Sequence, residues 1–361
     1  MAREAGSTSE RPDAPGREGF AGRVGLWLPQ TPAERDGRGW LGAPAGLHVL
    51  VDMSRETGDA GWRAGLVRVV AGGGAEVGVA GAPRPELVAA ARALGLRRVA
   101  WLASDEQLRA PDRLAALIAA GLTDLHLWAH AAGPAAHDFH AGAGSFATVS
   151  AALAQAQAAA VEVAVSTLLT RSNARVLAAM PGWQRALGVR AWRIAVPSLG
   201  GERAADPAAR ADGGAGVGPQ DGLLPRLSVA VPHALQALTQ AARLGLSAWI
   251  EGAPDCLLGP FTAAALPGPP RAYAARCVGC PARAGCPGVD AGYLERFAGD
   301  ELSPAQLRPA GAHVAGASWV HRLVMGTGRL VHVAEDRSNR AGPKGQAARR
   351  LPVLAGGGDD C

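Results

Sequence analysis

The chain has 361 residues, 48% of them hydrophobic, 19% charged and 4% aromatic, with a formal net charge of +5. That apolar content is enough for a core in one large domain or two ordinary ones, and the polar N-terminal stretch offers no apolar export segment, so a cytoplasmic protein is expected. No apolar run reaches the roughly eighteen residues a membrane span needs, and the arginines are scattered without interleaved aromatics, so neither a membrane nor a nucleic-acid partner is expected. Lys344 in GPKGQ is the single lysine and cannot belong to a phosphate-binding Walker loop.

Residues 1–22 are polar and turn-rich, and so is the chain after about 338, so both ends are expected to be disordered. From 46 onward short apolar or β-branched runs alternate with Ala/Leu/Arg segments of helical spacing. The runs predict strands over 47–53, 76–81, 97–103, 124–130, 161–169, 191–197 and 247–252. Helices are predicted over 85–95, 111–121, 146–160, 173–188 and 231–245, where apolar residues recur every three or four positions. Repeating units of this kind imply an α/β protein with a parallel sheet, either a doubly wound sheet or a barrel, and their number favours a complete or partial barrel. The stretch 201–222 lacks periodicity and is expected to be an exposed loop.

In either architecture the ligand site belongs at the C-terminal ends of the strands. Gly81, His130 and Asn173 fall there and are the candidate cofactor-contacting residues, although a helix cap is the favoured reading of Asn173. Glu251 reads as a pocket acid or a turn residue, and His137, Asp138 and His140 in HDFH read as a polar loop entering a helix.

Four of the five cysteines, Cys256, Cys277, Cys280 and Cys286, form one cluster, the last three in CVGCPARAGC. Gly279, Pro281 and Gly285 supply tight turns, and thiolates two residues apart can face one centre, so the spacing points to a soft metal, either a 4Fe–4S cluster or zinc. A separation of twenty, then two, then five residues is not the paired CxxC of a zinc ribbon. Cys361, the last residue, is not expected to be a ligand.

The order of elements, with GLTDLHLWAH, HDFHAGAGSF, STLLTRSN, WRIAVPS and EGAPDCLLGP leading into CVGCPARAGCPGVDAGYLERFAGDELSP, resembles the radical S-adenosylmethionine (radical SAM) superfamily over residues 46–305. The resemblance implies a partial (β/α)6-type TIM barrel over 23–252, a Cys-rich auxiliary-cluster segment over 253–306, and a C-terminal extension over 307–361. It also implies a first cluster on a CxxxCxxC loop after the first strand. Here that loop reads DMSRETGDAGW, and no cysteine precedes Cys256. The family's GGEP motif falls on Ala80, Gly81, Ala82 and Pro83, keeping one glycine and the proline, and Trp128 puts a bulky ring where a small residue is usual.

Reductive SAM cleavage needs three thiolates and an open iron, and Ser54, Glu56 and Asp59 are hard oxygen donors. The chain is therefore expected to be a degenerate iron–sulfur protein that does not bind SAM productively. It would act as a partner or substrate-binding protein for a peptide or an active radical SAM enzyme. The alternatives are an active enzyme with an unusual cluster and a zinc-stabilised binding module.

Overall fold

A computed structural model describes residues 48–52, parts of 63–71, and residues 75–80, 83–110, 112–197, 223–266, 272–305 and 329–331. The expected terminal disorder, the 201–222 loop, Gly81 and the DMSRETGDAGW loop beyond Asp52 lie outside these residues.

All seven predicted strands are present: β1 (His48–Asp52), β2 (Glu76–Ala80), β3 (Arg98–Ala103), β4 (Asp124–Trp128), β5 (Glu162–Leu168), β6 (Val189–Ala195) and β7 (Ser247–Glu251). Two short strands join them, β8 (Ala265–Leu266) and β9 (Arg329–Val331). The sheet runs β8-β7-β6-β5-β4-β3-β2-β1-β9, and each pairing is parallel. From β1 to β8 each strand lies beside its predecessor in sequence. A doubly wound sheet would reverse direction at a switch point, so this order is that of a barrel. The sheet curls as a half-barrel of partial TIM-barrel type.

The intervening helices are α1 (Pro85–Ala93), α2 (Asp105–Leu108), α3 (Arg113–Ala119), α4 (Pro134–Ala141), α5 (Ser145–Ala158), α6 (Met180–Ala186), α7 (Leu227–Arg243), α8 (Asp255–Leu258) and α9 (Ala291–Phe297). His137, Asp138 and His140 thus belong to α4, not to a loop before a helix. The single helix predicted over 173–188 is instead a 3-10 turn over Ala174–Ala179 followed by α6. Pro181 sits in the first turn of α6, where its missing N–H costs nothing but prevents the helix from running through.

Side chains alternate across the strands, which sorts the residues onto two faces. Leu125 and Leu127 of β4, Val163 and Val165 of β5, Trp192 and Ile194 of β6 and Ile250 of β7 belong to the main core, together with the buried sides of the helices. The opposite face has only small apolar clusters, such as Trp128 with Leu168 and Ala164 with Ala191, Trp249 and Leu266. Between them stand the polar residues His126, Ser166, Arg193 and Glu251.

The Cys-rich segment shares the main core. Ala274, Val289, Tyr293 and Leu302 are buried members of it, and Cys256 and Cys277 pack against it. Helix α7 begins at Leu227 instead of the predicted Val231 because its first amides find partners far along the chain. Leu227 N–H donates to the Tyr293 hydroxyl at 2.9 Å and to Glu301 Oε1 at 3.0 Å, and Ser228 N–H donates to Glu301 Oε2 at 3.1 Å. The Ser228 hydroxyl also donates to Glu301. A carboxylate on exposed helix amides satisfies orphan donors and complements the helix dipole.

Glu301→Ala is therefore expected to destabilise the protein by about 1–2 kcal/mol, the size of a lost helix cap. Chemical denaturation measures this; an unchanged midpoint would mean that the contact does not hold the segment to the barrel.

Candidate metal centre

The cysteine run folds as consecutive tight turns. Cys277 N–H donates to Ala274 O at 2.9 Å, Cys280 N–H to Cys277 O at 3.2 Å, Arg283 N–H to Cys280 O at 3.1 Å and Cys286 N–H to Ala282 O at 2.9 Å. Gly279, between Cys277 and Cys280, has φ +77°, a left-handed conformation open to glycine at little cost. The loop is closed at its base by an antiparallel bridge, with Ala272 N–H donating to Val289 O at 2.9 Å and Val289 N–H to Ala272 O at 3.0 Å. The Tyr273 hydroxyl donates to Cys286 O at 2.9 Å, and the Arg283 guanidinium lies 5.0 Å from the centre of the Tyr273 ring.

Cys256 arrives from another direction. It sits in α8, which starts four residues after Glu251 ends β7. All four thiols, half-buried and free of disulfides, line one cavity with Tyr273 and Leu302. The geometry thus brings together the four residues that the spacing singled out.

Backbone amides point at two of the sulfurs. Cys286 Sγ accepts from Asp255 N–H at 3.4 Å and from Gly288 N–H at 3.5 Å. Cys256 Sγ has amide partners in Ser303 and in its own residue. Burial pushes both thiols above the ordinary thiol range and outweighs these amides, with the Asp255 carboxylate at Cys286 and the neighbouring thiols adding to the rise. On their own, Cys256 and Cys286 keep their protons at neutral pH. A soft metal would displace those protons, and N–H donors aimed at sulfur are the partners such a thiolate needs.

The donor set therefore suits a soft metal or iron–sulfur cluster. Among the described residues, no three His, Cys, Asp or Glu side chains already stand where one metal ion would touch them all.

A second polar cluster lies at the end of β4. His130 is fully buried, with its ring centre 5.5 Å from that of His137 and 5.2 Å from that of His140. Its N–H donates to His137 Nδ1 at 3.1 Å, while neither of its ring nitrogens has a hydrogen-bond partner among the described residues. His137 Nε2 stands 3.3 Å from Ser145 Oγ, and Ser145 donates to Asp105 Oδ2 at 2.7 Å. Although this has the composition of a hydrolase triad, Ser145 bonds the carboxylate directly and all three side chains are sealed from solvent. The chain ties α2, α4 and α5 together.

Asn173 is fully buried as well. Its Nδ2 donates to His130 O at 2.9 Å and Leu168 O at 2.8 Å, while Oδ1 accepts from Thr170 N–H at 2.9 Å. It precedes the 3-10 turn but makes no side-chain cap bond, and instead staples the ends of β4 and β5. Glu251 is not a turn residue: its Oε2 lies 3.0 Å from Arg193 Nη1 in a buried ion pair. Arg193 also donates through Nε to Ser166 Oγ at 3.0 Å, and Ser166 lies 2.9 Å from His126 Nε2. The Trp128 ring lies 5.3 Å from the Arg193 guanidinium.

Sequence reasoning missed the amide donors, the Asp105–Ser145–His137 chain and the Arg193 ion pair. A lone arginine inside a predicted strand that also holds a candidate pocket face is the one signal that pointed to the last.

Comparison with known proteins gives no family model that matches and no curated protein that matches. Among solved structures, the chain is similar to Streptococcus suis SuiB at 12% identity and TM-score 0.43, covering 59% of this chain and 51% of SuiB. SuiB bound to its precursor peptide SuiA gives 11% identity and TM-score 0.42, covering 59% of this chain and 50% of that one. Deoxyribose phosphate aldolase from Aeropyrum pernix gives 14% identity and TM-score 0.32 over 66% of this chain and 84% of the aldolase. The chain spans about half the length of the SuiB chain it matches.

The histidines make acid sensitivity specific. Burial, with Arg193 nearby, lowers His126 from 6.5 to about 3, and burial with His137 lowers His140 to about 4. The unfolded chain therefore binds protons that the folded chain refuses, so stability is complete above pH 6.5 and is lost as pH falls below it. In His126→Gln the slope of stability against pH between about 6 and 4 is expected to fall by about 1.4 kcal/mol per unit, one proton's worth. Denaturation at several pH values measures it; an unchanged slope would mean that His126 is protonated in the folded state.

Proposed function

We propose that this chain is an iron–sulfur protein on a radical SAM-like partial barrel, with Cys256, Cys277, Cys280 and Cys286 holding one 4Fe–4S cluster and with SAM cleavage lost. The observation that carries this reading is that all four thiols line one cavity, although Cys256 and the CVGCPARAGC run reach it from different elements. Bound there, the cluster would supply one-electron transfer or structural cross-linking, since four protein thiolates leave no iron open to SAM. The loop after the first strand, DMSRETGDAGW, holds no cysteine and so offers no set of three thiolates for initiation.

The chain then serves as a non-catalytic partner, binding a peptide or an active radical SAM enzyme. The face of the sheet turned away from the helices carries a buried polar row, His126, Ser166, Arg193 and Glu251, across four adjacent strands, its members hydrogen-bonded to one another.

Anaerobic reconstitution with iron and sulfide is expected to load about four irons per chain and give the broad absorbance of a cubane. Incubating the reduced protein with SAM is expected to give no 5′-deoxyadenosine above a cluster-free control. Loading of one zinc and no iron would decide for a zinc-stabilised module. Turnover of SAM would decide for an active enzyme in which three of the thiolates hold an open cubane.

A further inference from the structure

Cys286 is held by the backbone through both its sulfur and its carbonyl. Its sulfur accepts from two amides of separate segments, Asp255 at 3.4 Å and Gly288 at 3.5 Å, and its carbonyl accepts from the Tyr273 hydroxyl at 2.9 Å. The two amides are positioned by different devices.

Gly288 sits at φ +67°, and a Cβ built there would stand 2.6 Å from the Ala272 carbonyl oxygen. That carbonyl cannot retreat, because it accepts from Val289 in the bridge at the base of the loop. Only glycine therefore allows position 288 to turn its N–H back onto the sulfur. Asp255 is the first residue of α8, where the N–H lies outside the intrahelical ladder, and here it donates to the Cys286 sulfur.

We propose that the Asp255 and Gly288 amides are positioning groups that make Cys286 an electron-poor ligand of the centre and so tune its reduction potential and metal affinity. The proposal rests on the four-cysteine reading for the ligand set, but not on which metal is bound. Amides directed at a thiolate withdraw charge from it, favour the more negative, reduced form of a cluster and hold the thiolate against protonation.

The test removes one N–H while leaving the rest of the site in place. Proline is tolerated at the first helical position, and Pro254 before it has φ −73° and ψ 146°, the extended conformation that a following proline demands. Asp255→Pro loses both the carboxylate and the amide hydrogen, whereas Asp255→Ala loses the carboxylate alone. With the full chain reconstituted with iron, the midpoint potential is expected to be more negative in Asp255→Pro than in Asp255→Ala, at equal iron content. Gly288→Ala is expected to shift the same way relative to Gly279→Ala. Gly279 has a similar left-handed φ of +77° but nothing within 4 Å of its added Cβ, so it controls for loop strain.

The same pairs loaded with zinc and titrated with a chelator are expected to differ by about 10- to 100-fold in affinity, the usual effect of a partner to a ligating group. This arm works if the centre proves to be zinc, and so separates failure of the proposal from failure of the iron–sulfur reading. Equal potentials and equal affinities within each pair would overturn it.

Discussion

Desolvation of two thiols sets the chemistry of the Cys-lined cavity. Burial raises Cys256 and Cys286 above the ordinary thiol range, and the amides of Asp255, Gly288 and Ser303 only partly offset the rise. Lining one cavity with four thiols gains little by itself, since sulfur is a weak hydrogen-bond partner for sulfur. A soft cation would change this balance, because binding it displaces thiol protons and turns thiolates into ligands. Tight turns at Gly279 and Gly288 and a bridge between Ala272 and Val289 fix the loop that carries three of the thiols.

The rest of the architecture keeps that cavity at the barrel's edge. Cys256 follows β7 within a few residues, so the seventh strand fixes where one sulfur begins. Tyr293 and Glu301 then fasten the far end of the segment to the start of α7, which packs along the sheet through Ala230, Ala234, Ala237 and Ala241. The small side chains let that helix lie close. The Cys-rich segment is thus a continuation of the barrel's core.

The strands were legible because parallel strands buried on both faces read as short β-branched and apolar runs, as in VEVAVSTLL. Alternation could not choose between barrel and doubly wound sheet; the strand order does. Strands β8 and β9, two and three residues long, fall below any periodic signal. The break before Pro181 was visible as a residue, but the helical spacing on either side outweighed it. Leu227 was missed as a helix start because its cap partners lie more than sixty positions away.

At the cavity, the four cysteines and their spacing were legible in the sequence, but the backbone groups around them were not. Backbone amides carry no residue signature, so Asp255, Gly288 and Ser303 gave no sign of turning toward sulfur. Asn173 was legible as a polar residue at a strand end. Its commitment to His130, Leu168 and Thr170 depends on β4 and β5 being neighbours.

X-ray absorption at the iron and zinc edges of the anaerobically isolated chain tests the central claim most directly, since it reads the atoms around the metal. The account predicts iron in an all-sulfur shell with iron neighbours at cluster distance, lost when Cys280 is replaced by Ser. Iron bound through oxygen or nitrogen, or no metal held by sulfur at all, would contradict it.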